Sequence, residues 1–153
     1  MTEEEMAPYL TFIKRNNASL HVGQRAAAFQ DQSWQVFDMF KSDFTQSVKP
    51  WIEELLDANY RILFYNGNFD VIVAPPLTAH FLTTLKWSKA DRYYSAPRSI
   101  YRVAPDDHEV AGYVKRLDNL YFAVIRNAGH QVTGDQPRVT LDMITRFVKG
   151  IEF

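Results

Sequence analysis

Two short stretches of this chain place an acid and a histidine just after apolar runs. Residues 62–65 form an apolar run long enough for one buried strand, and a turn then leads to Asp70. Residues 122–125 form a second run of this kind, and another turn leads to His130. Sheets present catalytic side chains just beyond the ends of their strands. The spacing therefore predicts half of a nucleophilic triad, with Asp70 as the acid and His130 as the base.

The chain order of a hydrolase triad places its serine before the acid and the histidine. None of the six glycines of this sequence belongs to a G-x-S-x-G elbow. The serines, none of which has such flanks, are Ser19, Ser33, Ser42, Ser47, Ser88, Ser95 and Ser99. The printed residues thus contain an acid and a histidine in the expected order, without a recognisable nucleophile.

Each of the two candidates has a simpler interpretation. Asp70 could be a turn aspartate whose carboxylate accepts bonds from its own backbone, and Gly67 in the same turn could adopt a positive φ. His130 could be a loop histidine without a role. Their joint placement after two apolar strands favours the triad interpretation and leaves activity open.

Composition excludes several classes of function. The net charge of −1 and the pI near 6.4 give no electrostatic basis for binding nucleic acid or an anionic membrane. There is no cysteine, and the other histidines, His21, His80 and His108, have no partner at ligand spacing, so we expect no metal and no cofactor. The apolar runs are too short to span a membrane.

The first 60 residues contain an N-terminal segment and several predicted helices. The N-terminus, MTEEEMAPYL, lacks the layout of a secretory signal, and Asn17 begins an N-glycosylation sequon. Residues 1–30 and 34–40 have helical spacing, and a further helix is predicted over 43–59, with Ser47 as its cap and Pro50 in the first turn. The aromatic residues Trp34, Phe37, Phe40, Phe44 and Trp51 could line a groove or belong to a core.

The second half is predicted to contain a three-stranded meander over 99–103, 110–115 and 121–125. Residues 87–97 are polar and aromatic, and we interpret them as a loop. Asp135 is the expected N-cap of a final amphipathic helix that ends at Gly150.

Four stretches read RILFYNGNFDVIVAPPLT, LKW at 85–87, EVAGYVKRLDNLYFAVIRNAGH and DQPRVTLDMITRFV. In this order and spacing, they resemble the C-terminal third of the serine carboxypeptidases, in the vitellogenic-carboxypeptidase-like branch. The resemblance implies an α/β class fold, namely the C-terminal portion of an α/β-hydrolase fold with two central strands, a small meander and flanking helices. Residues 1–45 would be a helical insertion or lid remnant, and 46–153 would carry the site.

The resemblance implies an enzyme that removes single residues from the C-termini of peptides or proteins. Asp70 and His130 fall on the triad aspartate and histidine of the family, and Asn66, Gly129 and Gln131 are candidates for the substrate pocket. The family pattern GHMVPxDQP is GHQVTGDQP here, so one apolar pocket wall has become polar and a rigid proline is absent.

The serine elbow of the family, a GESYAG type of motif, does not occur in these residues. We therefore expect the chain alone to be inactive, with an N-terminal chain of the same enzyme as the partner that carries the serine. The alternative is an inactive, carboxypeptidase-derived binding or interaction protein. The family resemblance also implies a lysosomal or secreted location.

Overall fold

The computed structural model describes residues 8, 9, 11–13, 15, 16, 18–21 and 33–153. The chain divides into two compact units, residues 1–46 and 47–153. In the first unit, residues 8, 9, 11–13 and 15 are helical, in agreement with the predicted pattern, whereas residues 16 and 18–21 form turns, so the helix predicted over 1–30 is wrong there. Asn17, the predicted glycosylation site, lies outside the described residues.

The first unit also contains helix α1, Trp34–Phe44, which confirms the helix predicted there. Its N-cap is Ser33, whose Oγ accepts a hydrogen bond from the N–H of Val36. No residue of α1 is buried. The side chains of its aromatic residues Trp34, Phe37, Phe40 and Phe44 are exposed in the part of the chain that the structure describes.

Four strands form one sheet in the second unit, in the order β1-β4-β3-β2. The strands are β1, Ile62–Gly67; β2, Arg98–Tyr101; β3, Gly112–Leu117; and β4, Leu120–Ile125. Strand β1 pairs with β4 in parallel, whereas β4, β3 and β2 are successively antiparallel. The two central strands and the meander are as predicted, and the structure shows that the central pair is parallel.

Five helices accompany this sheet. They are α2, Lys49–Asp57; α3, Pro75–Thr83; α4, Ala90–Ser95; α5, Val132–Asp135; and α6, Pro137–Lys149. Among the residues that the structure describes, no helix combines the length and the apolar character that a bilayer span requires.

One helix prediction and one loop prediction are wrong. The helix expected over 43–59 is interrupted between Phe44 and Lys49, because Pro50 lacks an N–H and its ring is incompatible with a helical residue four positions earlier. Ser47 accepts a bond from the N–H of Lys49, although the N-cap residue itself is Val48. The loop expected over 87–97 contains α4, which is held by burial of Tyr93 beneath the Lys115 ammonium group.

Strand β4 lies at the centre of two hydrophobic clusters. Its side chains alternate between the faces of the sheet, so that Phe122 joins one cluster and Ala123 the other. Helices α2, α3 and α4 cover the first face, and α6 covers the second with the fully buried Met143. Burial on both faces is typical of a strand in the interior of an α/β sheet.

Helix α6 is tied to the meander by a polar network. The hydroxyl of Tyr101, which is buried, donates to Asp142 Oδ2 over 2.6 Å. Arg146 donates to the same carboxylate and to the carbonyl of Val103. The helix ends at Gly150, which has a φ of 71°, as the sequence predicts. This network fixes α6, whose N-terminus adjoins the loop that carries His130.

Candidate functional site

The parallel pairing of β1 and β4 brings their C-terminal ends to the same edge of the sheet. Gly67 at the end of β1 lies opposite Ile125 at the end of β4. Asp70 follows β1 and His130 follows β4, so the two candidates emerge side by side although 60 positions separate them in the sequence. The sheet topology thus explains why these two residues meet.

Asp70 and His130 are in direct contact. The Nδ1 atom of His130 lies 3.0 Å from Oδ2 of Asp70. The Asp70 side chain is only 4% exposed, whereas the His130 side chain is 51% exposed. An ionised carboxylate only accepts hydrogen bonds, so the neutral tautomer that fits this contact carries its proton on Nδ1 and leaves Nε2 as a proton acceptor. A buried acid therefore orients an accessible imidazole in the tautomer that a general base requires.

The second carboxylate oxygen of Asp70 is engaged by the backbone. Its Oδ1 accepts hydrogen bonds from the N–H groups of Ile72 at 2.9 Å and Val73 at 3.0 Å. The simpler interpretation of Asp70 as a turn aspartate is therefore also correct, because one oxygen closes the turn and the other holds the histidine. These bonds, Val73 first and then those of His130 and Ile72, lower the pKa of Asp70 below its usual value, against the opposing effect of desolvation.

This lowered pKa predicts a pH-dependent contribution to stability. An aspartate with a depressed native pKa stabilises the fold above its unfolded pKa of about 3.9, and the contribution disappears as the pH falls through the native pKa. In the intact protein, the free energy of unfolding should exceed that of Asp70→Asn at pH 7, with a difference that shrinks below about pH 4. Urea unfolding at several pH values measures this difference. A difference that stays constant down to acidic pH would contradict the expectation.

Asn66 lies beneath the turn that surrounds Asp70. The side chain is buried, and its Nδ2 donates to the carbonyl of Val73 over 2.9 Å. Its Oδ1 is buried and has no hydrogen-bond partner among the described residues. The structure thus gives Asn66, which the sequence suggested for the substrate pocket, a direct contact with the turn that holds the acid.

Gly67 does not have the predicted positive φ, and another constraint requires a glycine there. It is the last residue of β1, and Gly150 is the glycine with a positive φ in the described part of the chain. A Cβ atom at Gly67 would lie 2.2 Å from the carbonyl oxygens of both Ala128 and Gly129. The prediction of a positive φ is therefore wrong, because a glycine is required here by the close passage of the histidine loop.

The turn after β1 and the loop after β4 are joined through their backbones. The N–H of Asn68 donates to the carbonyl of Ile125 over 2.8 Å, and the N–H of Phe69 donates to that of Ala128 over 2.9 Å. The side chain of Asn68 also accepts from the N–H of Ala128, at 3.4 Å. The acid and the histidine therefore belong to one hydrogen-bonded unit.

Asp135 does not act as the N-cap that the sequence suggested. The chain first forms the short helix α5, and the N-cap of α6 is Gln136, which makes no side-chain cap. The carboxylate of Asp135 instead accepts a hydrogen bond from the N–H of Gly129 over 2.7 Å. The prediction is wrong because Asp135 belongs to α5, and its side chain reaches back to the histidine loop.

The remaining pocket candidates lie on either side of His130. Gly129 is half-buried, and Gln131 is exposed and forms the N-cap position of α5. Sequence reasoning missed two residues that fix this loop, Asn68 and Gln136, whose Nε2 donates to the carbonyl of Asn127. Their amide side chains bond to backbone groups of the loop, and neither bond has a periodic signature in the sequence.

Three carboxypeptidases resemble most of this chain in sequence. The venom serine carboxypeptidase of Apis mellifera is 44% identical over 88% of this chain and 28% of its own length. The vitellogenic carboxypeptidase of Aedes aegypti is 44% identical over 84% of the chain and 26% of its own length. A probable serine carboxypeptidase CPVL of Homo sapiens is 35% identical over 96% of this chain and 30% of its own length. The chain thus spans between a quarter and a third of the length of these relatives.

A solved structure agrees with the fold. A prohormone-processing carboxypeptidase from Saccharomyces cerevisiae superimposes with a TM-score of 0.58 and 24% sequence identity, over 67% of this chain and 22% of the yeast chain. The four-stranded mixed sheet with helices on both faces is thus a portion of an α/β-hydrolase fold, as predicted.

A family model, described as serine carboxypeptidase, matches residues 2–150. That match covers nearly the whole chain, including both strands and the two residues in contact at their ends. The predicted resemblance is confirmed, and this chain belongs to the serine carboxypeptidase family.

Proposed function

We propose that this chain supplies the acid and the base of a serine carboxypeptidase that releases single residues from the C-termini of peptides. The contact between Asp70 and His130 carries this proposal, because it combines a buried carboxylate with an accessible imidazole. His130 takes the proton of the attacking serine and returns it to the leaving amino acid. Asp70 holds the ring in place and stabilises the imidazolium that forms during the attack.

In this proposal the nucleophilic serine comes from polypeptide outside the 153 residues, in the same protein or in a partner chain. None of the serines here has the flanks of an elbow. The surroundings of Asp70 support the proposal, because Phe69, Val71 and Ile72 expose apolar side chains beside the site. The outer edge of β1 is also unpaired among the described residues. Without the serine, the chain alone does not hydrolyse peptides.

The position of Gln131 bears on the leaving residue of the substrate. Gln131 is exposed and directly follows His130, and the family resemblance places an apolar residue there. We assign Gln131 and Gly129 to the pocket of the leaving residue. Asn66 is the buried residue that supports the turn around Asp70, through its bond to the carbonyl of Val73. A polar wall of this kind favours leaving residues whose side chains accept or donate hydrogen bonds.

A secreted or lysosomal location is also proposed. It is supported by the family membership and by the name of the honey-bee relative, a venom serine carboxypeptidase. A glycan on Asn17 of the protein isolated from its source would agree with passage through the secretory route.

The experiment uses the protein purified from its source and a peptide with a free C-terminus. Mass spectrometry should detect products shortened by one residue at a time, and the same peptide with an amidated C-terminus should remain intact. Internal cleavage would contradict a carboxypeptidase. Complete absence of release, together with binding to a protein partner, would favour the alternative of an inactive, carboxypeptidase-derived interaction protein, which the altered GHQVTGD sequence also suggests.

A further inference from the structure

The loop that carries His130 connects β4 with α5 and has no regular structure of its own. Its position depends on hydrogen bonds to neighbouring elements, and half of the His130 side chain is exposed. Packing therefore cannot alone hold the imidazole in place. The residues on either side of His130 show what fixes it.

Both neighbours of His130 are bonded to the same residue, Asp135. The Asp135 carboxylate accepts from the N–H of Gly129 over 2.7 Å. The backbone N–H of Asp135 donates to the carbonyl of Gln131 over 3.0 Å. These two bonds join the residues before and after His130 to Asp135, so that the backbone forms a closed ring. The Cα atom of His130 is therefore restrained on both sides. Hydrogen bonds to an ionised carboxylate are stronger than neutral ones, so the Gly129 contact is the stronger of the two restraints.

Asp135 is exposed, but the short helix that carries it is anchored in the core. Its helix α5 buries Val132, whose carbonyl accepts from the N–H of Gln136 at 2.9 Å and from the hydroxyl of Thr140 at 3.2 Å. Gln136 also donates to the carbonyl of Asn127 at the start of the loop. The ring around His130 is therefore attached to a rigid support, and a displacement of the loop would require one of these bonds to break.

We propose that Asp135 is a positioning residue, which holds His130 at the distance from Asp70 and from the serine that catalysis requires. This inference rests on the proposed function, since it concerns the base of that reaction. The side-chain bond of Asp135 is to the backbone N–H of Gly129, so Asp135 acts through that backbone. Its loss should therefore impair the chemical step and leave substrate binding nearly unchanged.

The test compares three variants of the intact, active enzyme. Asp135→Ala removes the acceptor, and misplacement of a catalytic group by about 1 Å costs on the order of 10²-fold, so kcat should fall by this factor while KM changes less than about twofold. Asp135→Asn keeps an oxygen acceptor and should recover most of the loss. Thr133→Ala is the matched control, because it also removes a small polar side chain from α5 and should leave kcat unchanged.

Hydrogen exchange of the segment 127–131, followed by mass spectrometry, gives a second readout that does not need activity. Exchange should accelerate in Asp135→Ala and remain slow in Thr133→Ala. If Asp135→Ala retains the kcat of Thr133→Ala, the inference is overturned while the proposed function stands. If the wild-type protein releases no residue at all, the proposed function fails, and unchanged exchange in Asp135→Ala would then overturn the inference as well.

Discussion

Replacing Asp70 with asparagine should lower kcat of the intact enzyme by about 10⁴-fold, the loss that an amide in place of the triad acid typically causes. The asparagine side chain has nearly the same shape, so the turn closed by the N–H groups of Ile72 and Val73 can persist. What changes is the bond to His130 Nδ1, because an amide group can present an N–H there and impose the wrong tautomer. Steady-state kinetics on a peptide with a free C-terminus measures the effect.

The control for this experiment is Asp106→Asn, which makes the same chemical change at an exposed position. It should retain the wild-type kcat. A loss in Asp70→Asn that appears mainly in KM would contradict the proposed role, because a triad acid acts in the transition state and not in substrate binding. Equal activities of the two variants would show that the pair of Asp70 and His130 does not take part in the reaction.

Replacing Gly67 with alanine should have the largest effect on stability. The new Cβ would lie 2.2 Å from two backbone carbonyl oxygens, those of Ala128 and Gly129, and backbone atoms cannot move aside as a flexible side chain would. The clash must separate the end of β1 from the histidine loop. Overpacking typically costs about 1–3 kcal/mol, and a clash with two backbone oxygens of one loop places this variant at the upper end or beyond.

Gly134→Ala provides the matched control for Gly67→Ala. A Cβ at Gly134 would meet no atom within 4 Å, and its φ is not left-handed. Alanine at such a position should leave stability unchanged or raise it by about 0.4–1 kcal/mol. Urea unfolding of the intact protein compares the two. A Gly67→Ala variant with wild-type stability and wild-type kcat would mean that the loop does not pass the strand as closely as the structure shows.

The sequence was sufficient to predict the frame of the site because apolar runs identify buried strands. The runs at 62–65 and 122–125 predicted β1 and β4, and each is followed by its candidate residue in the expected place. The three-stranded meander and the end of α6 at Gly150 follow from equally local signals. Such features are predictable because neighbouring residues in the sequence determine them.

The supports of the site depend on contacts between distant segments, and these leave no local pattern. Gly67 carried a turn signal in the sequence, yet its requirement arises from a loop some sixty positions away. Asp135 matched an N-cap pattern beside Pro137, yet its carboxylate bonds to Gly129. Helix α4 is short and owes its place to the burial of Tyr93. In each case a tertiary contact determines the conformation and overrides the local preference.

The measurement that tests the central claim most directly is labelling of the intact protein with a fluorophosphonate, which reacts with serines that an adjacent base activates. Peptide mapping should locate the label on a serine outside the 153 residues, within a G-x-S-x-G sequence, and folded His130→Ala should lose the labelling. His80→Ala, a change at another histidine, should label like the wild type. Undiminished labelling of His130→Ala, or a label on one of the serines of this chain, would contradict the assignment of Asp70 and His130 as the acid and base of a serine carboxypeptidase.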